Sequence, residues 1–152
     1  MTRYEDLLAE AAEKGMIVKE KQIPGYEGRI CGNRIAISRD IETERRKAEV
    51  LAEEIAHFET GVGDILDQDT PDKRKQELHA RGRAYDRLIG LIGIIQCYRR
   101  SCRNLHDMAE LLNCTEPFIT DALKYYEGKY GKEVRLDQYL IRFDPLQVME
   151  MF

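Results

Sequence analysis

Apolar residues recur at three- and four-residue spacing near the start of the chain, at Tyr4, Leu7, Leu8 and Ala11. This is the stripe of an amphipathic helix, expected over 3–14. Thr2 stands where an N-cap is needed, Glu5 three residues on completes a capping box, and Gly15 stops the helix. The pattern then changes. Residues 16–19 read as a short strand, and Ile23-Pro24-Gly25 breaks the chain. Arg29-Ile30-Cys31 and Arg34-Ile35-Ala36-Ile37 flank Gly32-Asn33, a two-residue hairpin signal. A long helix is expected over 41–60, with Asp40 as N-cap and Gly61 as stop. Its first half is strongly charged and its second half apolar, which predicts a helix that starts at the surface and runs into the core.

Beyond it, 64–70 reads as a loop, and Thr70-Pro71 starts a helix with threonine as cap and proline in the first turn. That helix is expected to reach residue 89. Gly90 then marks a bend, and a fresh helix runs to about 102. Two short helices, 105–112 and 117–127, are joined by Asn113-Cys114-Thr115-Glu116 in a helix-turn-helix pattern. Residues 134–143 have strand-like content and trail into Pro145 and a Met-rich end. The fold class expected is α+β: a mostly helical domain with a small hairpin sheet and a helix-turn-helix-like C-terminal part. The expected division is a core over 1–89, a helical part over 90–131 and a tail over 132–152.

Composition narrows the picture. With 152 residues, 43% of them hydrophobic, the chain is long enough to bury a real core. The net charge of −4 weighs against non-specific nucleic-acid binding as the main activity. No apolar run approaches the ~18 residues of a membrane span, and the chain opens on an amphipathic helix rather than a signal peptide. Cys31, Cys97, Cys102 and Cys114 show no Cys-x-x-Cys spacing. They read as reduced thiols and the protein as cytoplasmic.

The chemistry concentrates in Val50-Leu51-Ala52-Glu53-Glu54-Ile55-Ala56-His57-Phe58. Positions four apart share a helix face, so Glu53 and His57 project side by side, with Glu54 one step round. This is the geometry of the zincin motif His-Glu-x-x-His, with Glu53 where the first histidine belongs. A carboxylate oxygen is still an ordinary zinc ligand. On spacing alone, Glu, Glu and His on a helix are more often a solvated face. The apolar setting argues the other way, because a carboxylate taken from water without a partner costs several kcal/mol.

The order of elements resembles the ImmA/IrrE family of zinc-dependent metallopeptidases over about 3–130. It comprises an N-terminal helix, a hairpin, the Leu-Ala-Glu-Glu-Ile-Ala-His helix, then Glu-Leu-His-Ala-Arg-Gly-Arg-Ala-Tyr and a helix-turn-helix part. Family members take a third ligand, a glutamate, from the next helix, just before an Ala-x-x-Phe-Ala stretch. Here Ala80-Arg81-Gly82-Arg83-Ala84 matches that stretch, with Arg83 for the phenylalanine, and His79 precedes it. The resemblance therefore implies zinc held by Glu53, His57 and His79, with Glu54 as the catalytic base. Tyr85 and Arg83 are the candidate oxyanion donors. The hairpin strand 34–37 is expected to align an extended substrate by strand addition. The implied substrate is a specific regulatory protein, a helix-turn-helix repressor of a phage or mobile element. The alternative is a catalytically impaired member that works as a protein-binding regulator or toxin–antitoxin partner.

Two other constellations compete. Cys102, His106 and Cys114 invite a second zinc reading but lack a fourth ligand, and cysteines among apolar residues are more often core fillers. Arg99, Arg100 and Arg103 form a basic cluster ahead of the helix-turn-helix. Its second helix, however, carries Glu116, Asp121 and Glu127, which would repel phosphates. Packing or protein docking is the favoured role over specific DNA contact. Nothing in the sequence fixes the oligomeric state.

Overall fold

Helix α1, Arg3–Glu13, starts as its cap predicts: the Thr2 hydroxyl accepts the Glu5 N–H at 3.1 Å. The computed structural model describes residues 2–61 and 71–151. Among them six helices and two three-stranded sheets follow one another, an α+β architecture that is mostly helical. No helix of the described residues is long and apolar enough to cross a membrane. The chain divides into two compact units, Met1–Ala84 and Tyr85–Phe152.

In the first unit, α1 is followed by β1 (Ile17–Lys21), β2 (Gly28–Cys31) and β3 (Arg34–Ser38). The turn at Gly32-Asn33 joins β2 and β3 as an antiparallel hairpin, pairing Cys31 with Arg34. Strand β1 adds parallel to the other side of β3, so the sheet order is β1-β3-β2. This corrects the expectation for the strand 34–37. Its backbone groups are hydrogen-bonded on both sides, and the edges of the sheet are β1 and β2. Ile35 and Ile37 point from β3 into the core, where α1 contributes Tyr4, Leu7 and Ala11.

Helix α2, Glu44–Thr60, packs on β2 and β3 and on α1. It begins three residues later than the sequence pattern predicts. Thr43, not Asp40, is its cap, accepting the Arg46 N–H at 3.2 Å, while Asp40 closes a turn onto the Ser38 hydroxyl. Gly61 ends it in the left-handed conformation at φ 74°. Val50, Leu51, Ala52, Ile55 and Ala56 are buried, so the change from charged to apolar along this helix is a passage into the core. Helix α3, Pro71–Leu88, follows. The expected loop over 64–70 and the Thr70 cap lie outside the described residues.

The second unit contains α4 (Gly90–Arg99), α5 (Leu105–Leu112) and α6 (Glu116–Tyr130), then β4 (Glu133–Leu136), β5 (Tyr139–Phe143) and β6 (Leu146–Glu150). Gly90, at φ 66°, separates α3 from α4 where the bend is expected. Asn104 and Thr115 cap α5 and α6 through their side chains. The segment expected to be a tail is an antiparallel meander in the order β4-β5-β6, packed on α6. Tyr139, Ile141 and Phe143 alternate inward, and Tyr126 of α6 is fully buried nearby. Its hydroxyl donates to Asp86 at 2.9 Å and accepts the Gly90 N–H at 3.2 Å.

Candidate functional site

In the first unit, α2 and α3 bring His57 between two carboxylates. His57 Nδ1 is 3.5 Å from Glu54 Oε2, one turn back on the same helix. His57 Nε2 is 2.9 Å from Glu77 Oε2 on α3. The imidazole and the Glu77 side chain are 14% and 15% exposed, and Glu54 is 9% exposed. The contact with Glu77 is an ionic approach rather than an aligned hydrogen bond. Glu54 Oε2, His57 Nε2 and Glu77 Oε2 are all buried without a partner of hydrogen-bond geometry.

Charge explains why the cluster holds together. Burial disfavours the imidazolium, but the carboxylates of Glu54 and Glu77 outweigh burial and raise the His57 pKa to about 10. In return the imidazolium holds the Glu77 carboxyl below its ordinary range, against burial and with help from Arg81. Glu53 behaves differently. Burial pushes its carboxyl up, Glu54 and Glu77 add to that, and Arg46 and Arg81 oppose it. Two carboxylates, Glu54 and Glu77, thus flank one imidazole, and Glu53 lies near enough to both to feel their charge.

His79 takes no part in this arrangement. It is exposed, while Ala80 and Ala84 are fully buried. Residue 79 precedes Ala80 in the chain but stands on another face of the helix. Positions 77 and 79 are about 200° apart around the axis. Glu77 shares the buried stripe with Ala80 and Ala84 at i, i+3 and i+7, so the inward acid is Glu77. The signal was present in the sequence as that helical spacing.

These atoms fit a divalent cation in part. Two donors about 2.0–2.2 Å from one cation, at angles between 90° and the tetrahedral value, stand roughly 2.9–3.5 Å apart. The separation of His57 Nε2 and Glu77 Oε2 falls in that span, and both lack another partner. The set is not complete as it stands. Among the described residues no three His, Cys, Asp or Glu side chains are gathered as a metal-holding group. Glu53 is close enough to feel Glu77 and Glu54 but does not close a triad. Cys102, His106 and Cys114 form no such group either.

Strand β2 forms the roof over Glu54. A Cβ at Gly28 would lie 2.5 Å from Val50 Cγ1 and 3.2 Å from both Cγ and Oε1 of Glu54. Only glycine lets this edge strand pass so close to α2. A clamp beside it fixes the strand. Arg46 of α2 donates to both oxygens of Glu27, at 2.9 and 2.8 Å, and to the fully buried Glu49 at 3.1 Å. Gly28, Glu27 and Arg46 escape a reading of motifs because their role lies in contacts between elements. The candidate oxyanion donor Arg83 instead makes an ion pair with Glu59 at 3.5 Å. Tyr85 stacks edge-on against Phe118 in the second unit.

No protein-family model matches the sequence, and no curated relative matches it.

Proposed function

We propose that the chain is a zinc-dependent peptide-bond hydrolase of the ImmA/IrrE kind, with Glu77 in the ligand role that the sequence assigned to His79. The observation that carries this reading is the facing pair His57 Nε2 and Glu77 Oε2, buried, 2.9 Å apart and otherwise unpartnered, beside the motif glutamate. His57 and Glu77 would hold the metal, with Glu53 as the third donor. A bound zinc supplies Lewis acidity and lowers the pKa of its water towards ~7.

The chain's own residues do the rest. Glu54 has one carboxylate oxygen buried with no hydrogen bond of good geometry, only the ionic approach of His57 at 3.5 Å, suited to accept a proton from the attacking water and pass it to the leaving amine. The bare backbone at Gly28 leaves the β2 edge close above that carboxylate. An extended peptide that pairs with this edge lies across Glu54. The substrate in this reading is a specific regulatory protein, a helix-turn-helix repressor of a phage or mobile element. A cytoplasmic location goes with that role.

A second reading rests on the incomplete triad: a relative that keeps the fold and binds a regulatory protein without cutting it. Incubation of the purified protein with a candidate repressor and zinc separates the two. The first reading expects cleavage that is lost in Glu54→Gln while binding persists. The second expects a stable complex and no cleavage by the unaltered chain.

A further inference from the structure

The cysteines of the second unit are brought together by the ends of its helices. Helix α4 closes with a Schellman turn. Ser101 adopts φ 60°, its N–H donates to the Tyr98 carbonyl at 3.0 Å, and the Cys102 N–H donates to the Cys97 carbonyl at 2.9 Å. In this motif the residue just past the turn and the residue five before it commonly touch through their side chains. Here both are cysteines. Cys102 and Cys114 both lie close enough for their charge to be felt at the Cys97 thiol. Cys114 ends α5 in the same way, following Asn113 at φ 55° with its N–H on the Ala109 carbonyl at 3.2 Å.

We propose that Cys97 and Cys102 form a thiol–disulfide site, oxidised by low-molecular-weight disulfides to an intrachain bridge across the end of α4. The proposal is independent of the hydrolase reading. Exposure orders the two steps. Cys102 is half-buried and Cys97 is buried, so Cys102 meets the oxidant first. Its thiolate attacks one sulfur of the small disulfide, forming a mixed disulfide and releasing one thiolate. Cys97 then loses its proton and attacks the Cys102 sulfur, and the second small thiol leaves carrying that proton. Two protein thiols give up two electrons, and the small disulfide departs as two thiols. Burial, and then Cys102 and Cys114, push the Cys97 thiol up to about 12, which suits the slower resolving role. Cys31 supplies an internal comparison, since it is exposed and is the only cysteine in the first unit.

The test uses the full chain incubated with oxidised glutathione, quenched in acid, alkylated and cut with trypsin without reduction. Arg99 and Arg100 lie between the two cysteines, so a bridge appears as peptide 88–99 covalently joined to peptide 101–103. The proposal expects that joined species as the main oxidised product of the second unit. It should disappear on adding dithiothreitol and be absent in Cys102→Ser. It should persist in Cys114→Ser, with Cys31 carrying only glutathione. A Cys102 that stops at the glutathione adduct overturns the proposal. So does a bridge to Cys114 in place of Cys97, or a Cys102 that remains a free thiol while Cys31 is modified.

Discussion

His57 of α2 reaches across to Glu77 of α3, with Nε2 and Oε2 2.9 Å apart and both side chains mostly buried. Removing either partner strips the other of its nearest counter-charge in a mostly buried site, leaving only Glu54 beside His57 or Arg81 beside Glu77. In chelator-treated protein, His57→Ala and Glu77→Ala are each expected to lose about 1–3 kcal/mol of stability. The double variant should lose less than the sum of the two. His79→Ala, an exposed change, should stay within about 0.5 kcal/mol of the unaltered chain. Urea unfolding of the four variants and the unaltered chain reads the comparison, and strict additivity would mean that the pair is not coupled.

The roof over Glu54 gives a second prediction. Gly28→Ala places a methyl 2.5 Å from Val50 Cγ1, closer than any real contact, so β2 has to lift or α2 has to shift. The expected cost is about 1–3 kcal/mol. Under the proposed hydrolase reading, cleavage of a substrate should fall more than binding does, because the displaced strand no longer passes over Glu54. Val50→Ala removes the worst overlap and should restore part of the loss in Gly28→Ala.

The clamp of Arg46 on Glu27 predicts a pH dependence. The hydrogen bond from Arg46 holds the Glu27 carboxyl below its ordinary range, against a smaller opposing effect of burial. A carboxyl whose pKa is lower in the folded chain binds fewer protons there than in the unfolded chain. Its contribution is therefore complete above about pH 4.5 and fades as the pH falls through its folded value. Thermal unfolding should show Glu27→Gln less stable than the unaltered chain at pH 7, with the gap closing towards pH 3. A gap that stays constant over that range would mean that charge plays no part in the clamp.

Tyr126 offers a prediction confined to the second unit. Its hydroxyl joins Asp86 to the N–H of Gly90, at the break between α3 and α4. Tyr126→Phe leaves both without this partner and should cost about 1–2 kcal/mol. Hydrogen exchange should speed up at the start of α4, the place where the Gly90 N–H is released. Unchanged protection at Gly90 would show that the hydroxyl is not what holds it.

Much of this was legible in the sequence wherever neighbouring residues decide the structure. The Thr2 cap, the turn at Gly32-Asn33, the stop at Gly61 and the break at Gly90 all depend on local backbone chemistry, and all appear as expected. Local signals that compete were harder. Asp40 and Thr43 both suit a cap, and the choice between them turned on where the chain leaves β3. Which strand lies at the sheet edge depends on the parallel pairing of β1, a long-range contact with no local signature. The inward-facing residue was placed two positions too late, at His79 instead of Glu77, because matching a motif along the chain ignores the direction of each side chain around the helix. The spacing of Glu77, Ala80 and Ala84 held that information.

His57 and Glu77 are proposed to be donors to one metal ion, and the zinc content of the purified protein decides whether they are. Protein stripped with chelator, loaded with zinc and freed of excess should retain about one zinc per chain by elemental analysis. That zinc should be lost in His57→Ala and in Glu77→Ala and retained in His79→Ala. Zinc absent from the unaltered chain, or retained in Glu77→Ala and lost in His79→Ala, would rule out this pair as the metal's donors.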